Sequence, residues 1–148
     1  MDISSNNSYP SNKLTNFAAH SFVLDGIQIA SMEGFLQSLK FKDIPIQNHV
    51  CSLVGRAAKA KGRNKKWFKT QILYWQGVEY KRDSQEYQDL LDRAYEALSE
   101  NKNFQRALKA SGNSILTHSL GKRKITDTVL TEQEFCSRLM KIRERLNG

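Results

Sequence analysis

A chain of 148 residues suits one domain and is long enough to bury a core. With 39% hydrophobic and 26% charged residues the composition is globular, which excludes a disordered chain. The longest apolar runs, such as Ile72–Trp75, fall far short of the ~20 residues of a membrane span, and the net charge of +8 favours an anionic partner, a phosphate-bearing small molecule or a nucleic acid.

Residues 1–11 are rich in Ser and Asn, hold Pro10 and read as a flexible arm, which leaves 12–148 as the single domain. Met1–Lys13 lacks a charged-then-apolar export signal, so the expected compartment is the cytosol. Phe22-Val-Leu24, Asp25-Gly26 and Ile27-Gln-Ile29 spell a β-hairpin, because Asp-Gly supplies the positive φ angles of a tight turn. Ser31 suits a helix N-cap, with Glu33 in the first turn where the helix dipole favours an anion; this helix is expected to reach Lys40 or Phe41. Asp43-Ile44-Pro45 opens the next, with Ile46, Val50, Leu53 and Val54 at helical spacing, and Gly62 closes the piece after it. Lys66–Lys81 is a further helical candidate, interrupted by Gly77. The Asp83-Ser-Gln-Glu86 capping box opens a helix with Tyr87, Leu90, Leu91, Ala94 and Leu98 on one face. Asn103–Ser111 reads as a short helix closed by Gly112, and Ser114–Ser119 as a strand. Thr131-Glu-Gln-Glu134 is a second capping box, followed by an inner stripe of Phe135, Leu139, Ile142 and Leu146. The fold class is α+β, mainly helical, with a small sheet.

Two features carry chemistry. Glu33, Gln37 and Lys40, spaced by four and three, put a carboxylate, an amide and an amine on one helical stripe, with Phe35, Leu36 and Leu39 on the other side. From periodicity alone a solvated face with a weak side-chain ladder is the plainer reading of that spacing, because such stripes are common. The second is a block from Ile44 to Val78 with no acid and seven cations: Arg56, Lys59, Lys61, Arg63, Lys65, Lys66 and Lys69. It is interleaved with Trp67, Phe68, Tyr74 and Trp75, as in surfaces where cations track phosphates and aromatics stack on bases; core aromatics beside a solvated basic face are the alternative. Cys51 and Cys136 lie in no C-x-x-C pair and read as free thiols. His20, His49 and His118 are isolated, so no metal site and no cofactor are expected.

Leu14-Thr-Asn-Phe17, Phe22-Val-Leu-Asp-Gly26, and Ser31-Met-Glu33 followed by Gln37 and Lys40-Phe41 resemble the opening block of the NADAR family, which includes riboflavin-biosynthesis-intermediate N-glycosidases. That family's helix reads E-H-Y-x-Q-x-x-K-F; here it reads Glu33-Gly-Phe-Leu-Gln37-Ser-Leu-Lys40-Phe41. Gly62-Arg63, Trp67, Asp83–Leu91 and Leu139-Met-Lys-Ile-Arg143 are similar to later family segments. Gly34 stands where the family has His, and Leu120-Gly121 where it has Trp-Gly.

The resemblance implies a hydrolase without metal or cofactor that cleaves the N-glycosidic bond at ribose C1. Its substrate would be an ADP-ribosylated nucleic acid or base, or an aminated ribose phosphate. Glu33 and Lys40 are then the catalytic pair: Lys40 attacks C1 and forms an imine with the opened sugar, and Glu33 shuttles protons. Asn16 and Gln37 hold sugar hydroxyls, Phe17 and Trp67 wall the pocket, and Lys61 or Arg63 meets a phosphate. Two other readings compete. One is a non-catalytic ADP-ribose- or nucleic-acid-binding module on the same fold, and the other a simple basic nucleic-acid binder, which needs neither Glu33 nor Lys40.

Overall fold

Asp25 and Gly26 take φ angles of 51° and 78° in the computed structural model, which describes residues 1–148. They close the expected hairpin of β1 (Phe22–Leu24) and β2 (Ile27–Ile29), antiparallel with Leu24 opposite Ile27. The turn is tied down from outside by the Trp75 indole N–H, which donates to Asp25 Oδ2 at 2.9 Å.

The next helix, α1 (Met32–Ser38), is capped by Ser31, whose hydroxyl accepts from the Gly34 N–H at 3.0 Å and donates to the Leu53 carbonyl at 2.9 Å. It ends earlier than the sequence suggested, so Lys40 lies just beyond the C-cap Leu39. Phe35, Leu36 and Leu39 are buried, and α1 packs against both α2 (Ile44–Cys51) and α3 (Gly55–Gly62). Leu53 and Val54, assigned to α2 from their spacing, fall in the link between α2 and α3. Asp43 caps α2 as expected, and Gly62 is the last residue of α3.

The helix expected over Lys66–Lys81 does not form. A single 3-10 turn at Trp67–Lys69 leads into a second antiparallel hairpin, β3 (Ile72–Trp75) and β4 (Val78–Lys81), with Trp75 opposite Val78. The reason is local. Gln76 and Gly77 take φ of 48° and 87°, the pair of positive angles a two-residue turn needs, and the aromatic and β-branched run before them suits a pleated strand with Leu73 and Trp75 inward. Buried Gln47 of α2 fixes this hairpin: its Nε2 donates to the carbonyls of Ser38 (3.0 Å) and Tyr74 (2.8 Å), and its Oε1 accepts from the Gln76 N–H (2.9 Å).

The helix α4 (Gln85–Leu98) buries the expected Tyr87, Leu90, Leu91, Ala94 and Leu98, and its N-cap is Ser84 rather than Asp83. It is followed by α5 (Lys102–Ala110) and α6 (Glu132–Asn147), whose Thr131–Glu134 capping box is complete. The fold is α+β, with six helices and two separate two-stranded sheets.

Two further expectations are corrected. Ser114–Ser119 does not form a strand beyond one bridge, because only Met1–Ile3 lies alongside it: the Ile3 N–H donates to the Thr117 carbonyl (2.8 Å) and the Thr117 N–H to the Met1 carbonyl (2.9 Å). For the same reason residues 1–11 are not a free arm. Ile3 is fully buried, Ser11 is buried, and Asp2 accepts from the Ser119 backbone N–H and hydroxyl.

Candidate active site

The cavity runs along one side of α1, from Glu33 to Lys40 just beyond its end. The Thr15–Phe17 turn meets that helix where the Glu33 N–H donates to the Asn16 carbonyl at 3.0 Å. Asn16 is oriented by Tyr95 of α4, whose hydroxyl donates to Asn16 Oδ1 at 3.0 Å; this leaves the Asn16 Nδ2 hydrogens free of any partner in the chain. One helical turn on from Glu33, the Gln37 amide donates from Nε2 to Glu33 Oε1 at 2.9 Å. Its Oε1 is buried with no hydrogen-bond partner. That oxygen lies against Gly62, where a Cβ would come within 1.8 Å of it, so α3 can approach α1 this closely only without a side chain at position 62. Lys40 reaches back along the same side, its Nζ 3.5 Å from the Gly62 carbonyl.

Glu33, Gln37 and Lys40 therefore line one cavity of about 530 Å³ together with Asn16, Phe17 and Trp67. The flat, solvated face that the spacing also allowed is not what forms: Gln37 and Trp67 are buried, and Glu33 and Lys40 partly so. Burial raises the pKa of Glu33, against the Gln37 hydrogen bond and the nearby charges of Lys59 and Lys40. Burial lowers that of Lys40, against the attraction of Glu33 and with help from the positive charges of Lys122 and Lys59. Both groups are thus moved toward their neutral forms.

Lys61 and Arg63, the expected phosphate contacts, do not line the cavity; both are exposed. A helical residue turns by about 100°, so Lys61 projects some 200° away from Lys59. The cations that α3 does turn to the cavity are Arg56 and Lys59, three apart, with Lys59 Nζ 5.8 Å from the centre of the Phe17 ring. Their spacing was the available signal. Two more residues had no such signal: His118 and Lys122 reach the wall from the loop between α5 and α6. That loop also puts Leu120, 73% exposed, at the rim beside Gly121.

Gly34 has a structural reason. A Cβ there would lie 2.6 Å from the Leu53 carbonyl oxygen, so the close packing of α1 on the end of α2 leaves no room for the family's His. Both cysteines are free and buried, which raises their thiols to about 11. No three His, Cys, Asp or Glu side chains converge as a metal site would need, and no helix is long and apolar enough to cross a membrane.

Residues 8–144 match the family model described as bacteriophage protein GP30.3. The chain is 40% identical to an uncharacterized 17.1 kDa protein of the Gp30–rIII intergenic region of Enterobacteria phage T4, over 99% of this chain and 98% of that protein. Its fold is similar to the NMR structure of the E. coli protein YbiA, a NADAR family member, with a TM-score of 0.60 and 17% identity over 97% of this chain and 82% of the other.

Proposed function

Because the chain belongs to the bacteriophage GP30.3 family and has a NADAR-like fold, we propose that it is an N-glycosidase. In this reading it cleaves the C1–N bond of a ribosyl substrate carrying phosphate, either an ADP-ribosylated nucleic acid or base or an aminated ribose phosphate. The observation that carries the reading is the pairing of Glu33 and Lys40 in one cavity, each moved by burial toward its neutral form, with Gln37 holding the carboxyl. A free amine is a nucleophile and a protonated carboxyl is an acid, the two groups this cleavage needs.

The steps follow from those two groups. The Lys40 nitrogen bonds to C1 as the C1–N bond breaks, its electron pair leaving with the base, which takes the proton of Glu33. Glu33 then removes a proton from the Lys40 nitrogen and returns one to the ring oxygen, and the sugar opens as an iminium on Lys40. Asn16, through its free Nδ2, holds a sugar hydroxyl; Phe17 and Trp67 wall the sugar; Arg56 and Lys59 meet the phosphate in place of Lys61 and Arg63. Nucleic acid is a partner in this scheme only as the carrier of the ribosyl group.

Borohydride added during turnover should fix the sugar on Lys40 as a stable amine, seen by intact mass and peptide mapping. Lys40→Arg keeps the charge but forms no imine, so cleavage should fall at least ~10³-fold while ADP-ribose binding persists. A Lys40→Arg protein that cleaves at the wild-type rate removes the imine route. Gly34 and Leu120, standing where the family has His and Trp, favour a second reading, a non-catalytic binding module on the same fold. That reading prevails if the wild type binds ADP-ribose yet releases no base from either substrate class.

A further inference from the structure

Departure of the base needs Glu33 and Lys40 alone, whereas release of the sugar needs in addition a group that takes the proton of the attacking water while Glu33 waits for that of the C1 hydroxyl. The chain has three histidines, and two are accounted for structurally or lie elsewhere. His20 is buried with Nε2 2.8 Å from the Lys13 carbonyl, and His49 is exposed in the last turn of α2. His118 differs. It lines the cavity that holds Glu33 and Lys40. Its Nδ1 is 2.8 Å from the Ile3 carbonyl, an acceptor only, so Nδ1 carries the hydrogen and Nε2 the lone pair. Nε2 has no partner in the chain.

The ring is held from several sides. Its edge-to-face contact with Phe135 has centroids 5.5 Å apart at 85°. The backbone N–H of His118 donates to Glu132 Oε2 at 2.7 Å. A Cβ at Gly121 would fall 2.7 Å from Cδ2, the carbon bonded to Nε2, so the glycine keeps that side of the ring open. A fixed tautomer with a bare lone pair on a cavity wall is the arrangement of a general base.

Resting on the glycosidase reading above, we propose that His118 is the catalytic base of the second half-reaction, taking a proton from the water that hydrolyses the Lys40 iminium. The balance closes. As the water oxygen bonds to C1, one proton passes to Nε2 and the C=N electron pair moves to nitrogen. His118 then returns that proton to the Lys40 nitrogen, and the C1–N bond breaks with its pair on Lys40. The new C1 hydroxyl gives its proton to the Glu33 carboxylate. Lys40 ends as a free amine, Glu33 as a carboxyl and His118 neutral, ready for the next substrate.

The test uses the full chain, an ADP-ribosylated oligonucleotide and His118→Asn, whose amide can keep the donor to Ile3 while offering no basic nitrogen. The expected result is a burst of base release of one equivalent per protein, then turnover slowed ~10²-fold or more, with the borohydride-trapped adduct accumulating above the wild-type level. Imidazole added to His118→Ala should restore turnover. The burst itself reports a folded, competent Glu33–Lys40 pair, so a variant that has lost the burst along with turnover contradicts a second-step role. Wild-type turnover in His118→Asn also overturns the proposal while leaving the glycosidase reading intact. A wild type that releases no base overturns both.

Discussion

Glu33 and Glu134 are both partly or wholly withdrawn from water, yet they act on stability with opposite signs. Burial raises the pKa of Glu33, so the folded state holds its proton more tightly than the unfolded chain does. Stability from this group is therefore greatest at low pH and is lost as pH rises through the raised value. Above that value the charged form of Glu33 costs the fold something. Glu33→Gln should consequently abolish turnover while raising the melting temperature near pH 7–8, with the gain shrinking as the pH is lowered through the carboxyl range; thermal melts at several pH values check this. An equal or larger gain at acid pH would mean that the carboxylate is not disfavoured by the fold. The spacing of Glu33, Gln37 and Lys40 was legible because a helix converts sequence distance into one face. His118 and Lys122 were not, because a loop has no such period and tertiary bonds from Ile3 and Glu132 place it.

Among the elements, the segment before α6 forms part of the cavity wall, with Thr128–Thr131 lining it, and a buried ion pair anchors it. Arg82, 1% exposed, makes a two-pronged contact with Glu134 at 3.0 and 2.6 Å and donates from Nε to the Thr128 carbonyl at 2.8 Å. Burial pushes the Glu134 pKa up, but hydrogen bonds from Arg82, Gln88 and the Thr131 N–H outweigh it and the net direction is down. This contribution is present at neutral pH and is lost as pH falls through the depressed value. Arg82→Met leaves the buried Glu134 without its counter-charge, held only by Gln88 and the Thr131 N–H, at a cost of ~3–5 kcal/mol. The expected fall in melting temperature is about 6–20 °C for a chain of this size; a fall under 2 °C would show that the pair is not what holds the segment. The capping box and stripe of α6 were readable because both are local patterns. The second hairpin was misread as helix because Ile72–Trp75 is too short for its period to speak, and the turn signal lay in Gln76, a residue that seldom takes positive φ, rather than in Gly77 alone.

For the whole molecule, the charge of +8 is less informative than where its members point. Only some of the cations in the acid-free block face the cavity, so affinity should follow direction rather than count. Arg56→Ser or Lys59→Ser should weaken ADP-ribose binding about tenfold or more, since a hydrogen bond to a charged group is worth ~1.5–3 kcal/mol. Lys61→Ser and Arg63→Ser should change it less than about twofold. Calorimetric titration of all four at low and at high salt decides the matter: equal losses at the four positions, or affinity indifferent to salt, would reduce the block to a solvated surface. The basic excess was plain in the sequence; its division between cavity and solvent depends on the rotation of α3 against α1, which composition does not encode. The pairing of Met1–Ile3 with Thr117 has a consequence in time. At 5–20 residues per second, a ribosome needs about 4–16 s to pass from Lys40 to His118. Throughout that interval Met1–Ile3 lack their partner at Thr117, and the wall from 118 onward, including the Lys122 charge that helps to lower the pKa of Lys40, does not exist. The full depression of Lys40 basicity is a property that the chain completes only late in its own synthesis.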